Sequence, residues 1–227
     1  ERFNSLELDL STYRNMPKQE TLNRWRVESP RGFCFVLRSD PRLGPALAKA
    51  GSAESLQQDD AFWDAWDDDI ERADALAAKA MLISTPQELS PGDASIAKLR
   101  VFAQKARDTT DRVILWEPSG LWTVPQVRQT ASDLGITPMY DPFVAHREGH
   151  GFTHGDVGFA LSERAGARRR FDVFDFERLL DWTASYDRVF VMLRGRNKWT
   201  HADQFRAAMQ RSGFLEEQPE LKAPDEM

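Results

Sequence analysis

Cysteine is almost missing from this chain: Cys34 is the one example in 227 residues, which excludes an internal disulfide. It lies between Phe33 and Phe35, where a small thiol is ordinarily buried, and no histidine stands near it in sequence to act as an activating base. Cys34 therefore reads as structural. Long apolar runs are missing as well, and without a stretch of about 18 apolar residues no membrane-spanning helix is expected. The opening residues do not suggest a secretory leader, so the default expectation is a cytoplasmic protein. Positive charge is not in excess: 30 Lys and Arg stand against 36 Asp and Glu, a net charge of −6. General binding along a nucleic-acid backbone needs clustered positive charge, so nucleic acid is not an expected partner. Core-forming material is plentiful, at 41% hydrophobic residues with 14 Phe and 7 Trp, which excludes a disordered chain.

What the chain does have is alternation. In residues 3–9, Leu6 and Leu8 share one face while Glu7 and Asp9 share the other, because successive side chains of a strand point to opposite sides. Similar strand-like runs fall at residues 33–38, 81–84, 112–117, 136–141, 157–162 and 188–194. Helical segments separate many of them. Asp59 or Asp60 caps a helix over residues 61–80, with Phe62, Trp66, Ile70, Ala73 and Leu76 as its buried stripe and Asp67, Asp68 and Asp69 on a solvated face. Ser90 and Pro91 open another, Thr123 and Pro125 open one that Gly135 closes, and Asp172 or Asp175 opens a fourth whose core side includes Phe171, Phe174, Phe176 and Trp182. Residues 39–58 carry Pro41, Gly44, Pro45 and Gly51 and read as a long loop with one short helix. Strands alternating with helices predict an α/β chain with a parallel sheet, here a TIM-type (β/α) barrel of seven recognisable strands over residues 1–213, followed by an acidic tail at 214–227.

In such barrels the functional groups sit at the carboxyl ends of the strands. That rule selects Glu7, Asp9, Glu117 and Asp141 as candidate catalytic carboxylates, and Tyr13, Arg38, Arg194 and Asn197 as candidate ligand-binding residues; Thr85, Glu163, Arg164, Arg196 and Lys198 occupy comparable positions. Carboxylates there suit acid–base work, and guanidinium groups clamp a carboxylate or phosphate through paired donors. The bland alternative is an ion-pair network that fixes the barrel end. Three of the four histidines, His146, His150 and His154, cluster beside Glu148 and Asp156 and form the alternative metal-ligand set for a divalent ion; Gly149, Gly151 and Gly155 favour a loop there over a helix. No cofactor is otherwise predicted. Arg168, Arg169 and Arg170 read as a solvated loop.

The opening segment reads Phe3-Asn4-Ser5-Leu6-Glu7-Leu8-Asp9, then Thr12-Tyr13-Arg14, Pro17, Thr21, Trp25, Ser29-Pro30 and Phe33-Cys34-Phe35-Val36-Leu37-Arg38. This resembles the YecE-like family (domain of unknown function 72), whose members carry F-N-S-V-E-I-N-S-T-F-Y-R-x-P followed by T, W, T-P and F-x-F-x-x-K. Glu7, Tyr13, Arg14 and Pro17 fall on family positions with one residue inserted before the proline; Asp9 replaces an Asn and Arg38 a Lys. Downstream, Leu82 to Pro86 is similar to the family's Q-L-P-P strand, Val113 to Trp122 to its V-E-x-R-x-x-S-W element, and Asp141 to the aspartate ending the next strand. The resemblance implies a TIM-type barrel and no particular reaction. The family's opening G-T-S-G-W-S-Y strand has no counterpart here, Glu117-Pro118 stands in place of E-x-R, and residues 161–166 stand in place of R-L-H-G.

Three functions follow as expectations: an enzyme or binding protein for a small anionic metabolite at the carboxyl end of the barrel, a metal-dependent hydrolase using the histidine-rich segment, or a non-catalytic binding or assembly protein. Seven strands also leave two unpaired edges, which are expected to close on each other or to be covered, with a homo- or hetero-oligomer contact as the favoured route.

Overall fold

The computed structural model describes residues 5–152, 154–162 and 171–214. The elements run β1 (Ser5–Asp9), a 3-10 turn (Leu10–Thr12), α1 (Gln19–Glu28), β2 (Cys34–Arg38), α2 (Leu43–Lys49), α3 (Ala53–Gln57), α4 (Asp60–Leu76), β3 (Ala80–Thr85) and α5 (Asp93–Thr109). They continue with β4 (Val113–Pro118), α6 (Val124–Leu134), β5 (Thr137–Tyr140), α7 (Pro142–Arg147), β6 (Asp156–Ser162), α8 (Val173–Thr183), β7 (Arg188–Arg194) and α9 (Lys198–Arg211). All strand pairs are parallel and neighbours in space follow chain order from β1 to β7. That order is the one right-handed βα repeats produce when each helix returns the chain to the next strand.

Local chemistry sets the element ends. Asp59 accepts a hydrogen bond from the Phe62 amide at 3.0 Å and starts α4. A reciprocal capping box between Thr123 and Gln126 starts α6, and Gly135, at φ 65°, ends it in the left-handed conformation. A second capping box, between Asp172 and Asp175, starts α8.

Strands β2 to β6 bury both faces. Inside the barrel, Val36, Ala80, Leu82, Leu115, Met139, Ala160 and Met192 form a small core of their own. Gly158 makes room for it, since a Cβ there would lie 2.9 Å from Cγ of Met139. The larger core lies between the outer strand faces and the helices, around Trp66, Phe102, Trp116, Phe159 and Phe176, all fully buried. Burying each such side chain contributes about 1.5–3 kcal/mol or more.

Several expectations need correction. Residues 39–58 hold two helices, α2 and α3, because Gly44 lets α2 approach β3 until a Cβ would stand 2.1 Å from the Ser84 carbonyl oxygen. A short helix, α7, forms where a loop was expected: its end, at Arg147, precedes Gly149, so the glycines that disfavour a helix fall outside it. Asp69 is buried, where a solvated face was expected, and Phe174 is exposed, outside the core assigned to it. Phe3, Glu163, Arg164, the Arg168 to Arg170 run and residues 215–227 lie outside the described residues.

Strands β1 and β7 are the two ends of the sheet and, among the described residues, do not pair with each other. Between them lies a cleft of about 1150 Å³, with Leu6 and Val36 on one wall and Phe190, Met192 and Phe205 on the other.

Candidate functional site

Register places the inward side chains at the carboxyl ends of the strands. Asp9 is level with Arg38, Ser84 with Glu117, and Ser162 with Arg194. Glu7, one inward step below Asp9, reaches across the interior. Nε of Arg38 donates to Oε1 of Glu7 at 3.0 Å, and its Nη2 forms an ion pair with the same oxygen at 2.9 Å. From the opposite edge, Arg194 donates Nε to Oε2 of Glu7 at 2.9 Å and Nη2 to Oε1 at 3.0 Å. Nη1 of Arg194 also donates to Oε1 of Glu117, and Nη2 of Arg38 to its Oε2 at 3.4 Å. Ser84 completes the ring: its Oγ accepts from Nη1 of Arg38 and donates to Oε2 of Glu117, both at 2.9 Å.

The four charged side chains of this cluster are 17–23% exposed, so the network is partly desolvated yet reachable from the barrel mouth. Burial alone pushes the Glu117 carboxyl up, but Arg194, Arg38 and the Ser84 hydroxyl outweigh it and hold the group below its ordinary value. Burial pushes Arg194 down, and Glu7 and Glu117 together overcome that and raise it. The pairing thus favours the charged forms of Glu117 and Arg194. The cluster also ties β1 to β7 through side chains where no backbone bonds join them.

The remaining candidates sit apart or at the rim. Asp9 lies 4.0 Å from Nε of Arg38 and is chiefly occupied by the 3-10 turn, accepting from the Ser11 amide at 3.0 Å and the Ser11 hydroxyl at 2.6 Å. Asp141 caps α7, accepting from the amides of Phe143 at 2.9 Å and Val144 at 3.3 Å. Tyr13 is 44% exposed and packs its ring against Trp25 at 5.6 Å. Asn197 occupies the N-cap position of α9. Thr85 faces the outer layer and accepts from the Trp116 indole at 3.0 Å. His146 packs against Trp182 with tilted rings 4.9 Å apart, His150 stands 3.6 Å from Glu148, and His154 is exposed. Among the described residues, no group of three or more His, Cys, Asp or Glu side chains is placed to hold a metal ion. No helix of the described residues is long and apolar enough to cross a membrane.

Sequence reasoning missed Ser84 and Asp69. Asp69 accepts from the Asp40 amide at 2.6 Å and from Nη1 of Arg72 at 2.9 Å, and so fixes the loop that follows Arg38. Burial pushes its carboxyl up to about 6, against the lowering effect of those two bonds.

A parallel α/β barrel with a charged cluster at the carboxyl end of its strands is therefore the class of protein the fold defines. Solved structures of the same shape include a DUF72 family protein of Thermotoga maritima, with a TM-score of 0.59 and 14% identity over 91% of this chain and 85% of that one. A DUF72 family protein of Enterococcus faecalis gives 0.59 and 14% over 93% and 90%, and an AP endonuclease, family 2, of Brucella melitensis gives 0.52 and 13% over 94% and 88%. These likenesses establish the fold: a TIM-type barrel of the kind seen in DUF72 family proteins, the family that the opening segment resembles. No protein-family model matches the sequence, and no curated protein matches it.

Proposed function

We propose that this chain is a YecE-like barrel protein that binds a small anionic molecule at the carboxyl end of its barrel, through Arg38 and Arg194. The observation that carries this reading is the convergence of both guanidinium groups, from strands at different positions in the sheet, on one carboxylate oxygen, Oε1 of Glu7. A guanidinium presents its N–H donors in a fixed planar fork and pairs with a carboxylate or phosphate through parallel bonds. Glu7 therefore occupies the place that an incoming anion's oxygens would take, and its displacement turns both forks toward the ligand.

Glu117 plays a different part. Gripped by Arg194, Arg38 and Ser84 and held ionised, it is the fixed counter-charge that keeps the two arginines aligned when Glu7 lets go. A carboxyl held below its ordinary value is a poor general acid at neutral pH. A displaced Glu7, with Asp9 at the rim, is the group suited to take a proton from the bound molecule.

Calorimetric titration of the 227-residue protein with phosphate and with propionate tests the reading. Arg38→Gln and Arg194→Gln should each weaken binding of both anions at least tenfold. A wild-type protein that binds neither anion, with variants that lose only stability, would assign the cluster to a strut across the barrel.

A further inference from the structure

The cleft between β1 and β7 follows both strand edges, from Ser5 and Arg188 at the amino end to Asp9 and Arg194 at the carboxyl end, and every residue of β7 lines it. Side chains of both faces take part: Phe190 and Met192 pack against the interior core, and Val189, Val191 and Leu193 against the outer one. Of these only Met192 is buried, although the run is as apolar as the buried centre of β3. No strand of the described residues pairs with the free edge of β1 or of β7. Each edge therefore presents a row of backbone donors and acceptors to the cleft.

A wall of that make-up selects an extended peptide. A strand meets the backbone groups of both edges and offers alternate side chains to both layers, whereas an acyl chain fills the apolar space and leaves those backbone groups unmet. Direction follows from the sheet. A strand that joins β1 and β7 in the parallel manner of the other strands runs from the Arg188 end to the Arg194 end. Glu7, Arg38 and Arg194 line the same cleft, so the last residue of such a strand arrives where the two guanidinium groups converge on Glu7. A terminal carboxylate complements them in charge and in its paired oxygens. An antiparallel strand would bring an ammonium group there instead.

We propose that the cleft takes the carboxyl-terminal strand of another polypeptide, an apolar extended segment that adds to β1 and β7 in parallel and delivers its terminal carboxylate to Arg38 and Arg194 in place of Glu7. This rests on the anion-binding reading above and names what carries the anion.

The probe is an N-acetylated peptide as long as β7, with one leading Lys for solubility and then alternating Val and Ala. It is titrated into the 227-residue protein beside its carboxyl-terminal amide and octanoate, and backbone hydrogen exchange is read in the free and saturated protein. The free-acid peptide should bind about tenfold more tightly, or better, than either the amide or octanoate. At saturation it should slow exchange along both β1 and β7. Arg38→Gln should cut the preference for the acid over the amide below about threefold. Octanoate that binds as tightly as the peptide assigns the cleft to an acyl chain and overturns the proposal. An amide that binds as tightly as the acid overturns it, as does peptide binding that leaves either edge exchanging as before, or an Arg38→Gln protein that keeps the full preference. Edge amides already protected in the free protein overturn it too: protection at every dilution would show this chain filling its own cleft, and protection only when concentrated would show a second copy there. Phosphate and propionate binding that depends on Arg194, in a protein that ignores the peptide, would leave the anion-binding reading standing when this one falls; a protein that binds no anion and takes acid and amide alike loses both.

Discussion

Strands β3 and β7 have similar apolar centres, Met81-Leu82-Ile83 in one and Val189 to Leu193 in the other, and quite different surroundings. β3 lies between β2 and β4, and every residue of it except Ser84 is buried. β7 pairs with β6 alone; Met192 is its one buried residue and Arg188 at its start is exposed. An apolar run therefore specifies a strand, while the neighbours it acquires decide how far it is buried. The difference also explains the charged cluster. On the β3 side the barrel is closed by backbone hydrogen bonds, and on the β7 side it is closed at one end by Arg194 reaching Glu7. Side chains perform there what the ladder performs elsewhere.

The largest expected contrast between the two walls is in hydrogen exchange. Cleft-facing amides of β1 and β7 should exchange about a thousandfold faster than those of β3 and β4, which open only with the whole fold. A second chain seated over the gap would erase the contrast, and dilution would restore it.

Gly44→Ala strikes the closed wall, where the new Cβ would meet the Ser84 carbonyl at 2.1 Å. A cost of about 3 kcal/mol in urea unfolding is expected, at the upper end of overpacking effects because the obstacle is backbone. Weakened anion binding should accompany it, since Ser84 joins Arg38 to Glu117.

Glu117→Gln strikes the bridged side and leaves Arg38 and Arg194 to share Glu7. About 2 kcal/mol should be lost at neutral pH, below the figure for a wholly buried pair because the side chains are near 20% exposed. Its depressed pKa sets the sign: the stabilising effect is full above the ordinary value of 4.5 and is lost as pH falls through the lower folded value. The wild type and Glu117→Gln should converge in strong acid.

Asp69 runs the other way. Its folded pKa of about 6 lies above the ordinary 3.8, so the folded protein binds the extra proton between these values and stability declines as pH rises from about 4 to about 6. Asp69→Asn should flatten that decline, which amounts to about 1–3 kcal/mol. At the amino end of β7, Arg188 bonds to Asp156 in an exposed setting, and Arg188→Gln should cost under about 1 kcal/mol.

Much of this was legible in the sequence because the information was periodic. The alternation in residues 5–9 placed Glu7 inward, and Arg38, Glu117 and Arg194 followed from strand ends. The errors have a physical pattern. A strand buried on both faces hides its phase, so the position at the end of β3 was assigned to Thr85 when Ser84 is the residue that faces inward. Asp141 ends a strand as expected, yet its oxygens cap a helix that its own neighbour Pro142 begins. The burial of Asp69 depends on the loop after β2 folding over α4, a long-range contact with no local signal.

The most direct test of the central claim is ¹⁵N NMR of the arginine Nε–H groups during titration with phosphate. Binding at the cluster predicts saturable shifts of the Arg38 and Arg194 signals together, with the Arg188 signal at the amino end unmoved. Arg38 and Arg194 signals that stay fixed to saturating phosphate, in a protein that Arg194→Gln destabilises, would contradict it and leave the cluster as a strut between β1 and β7.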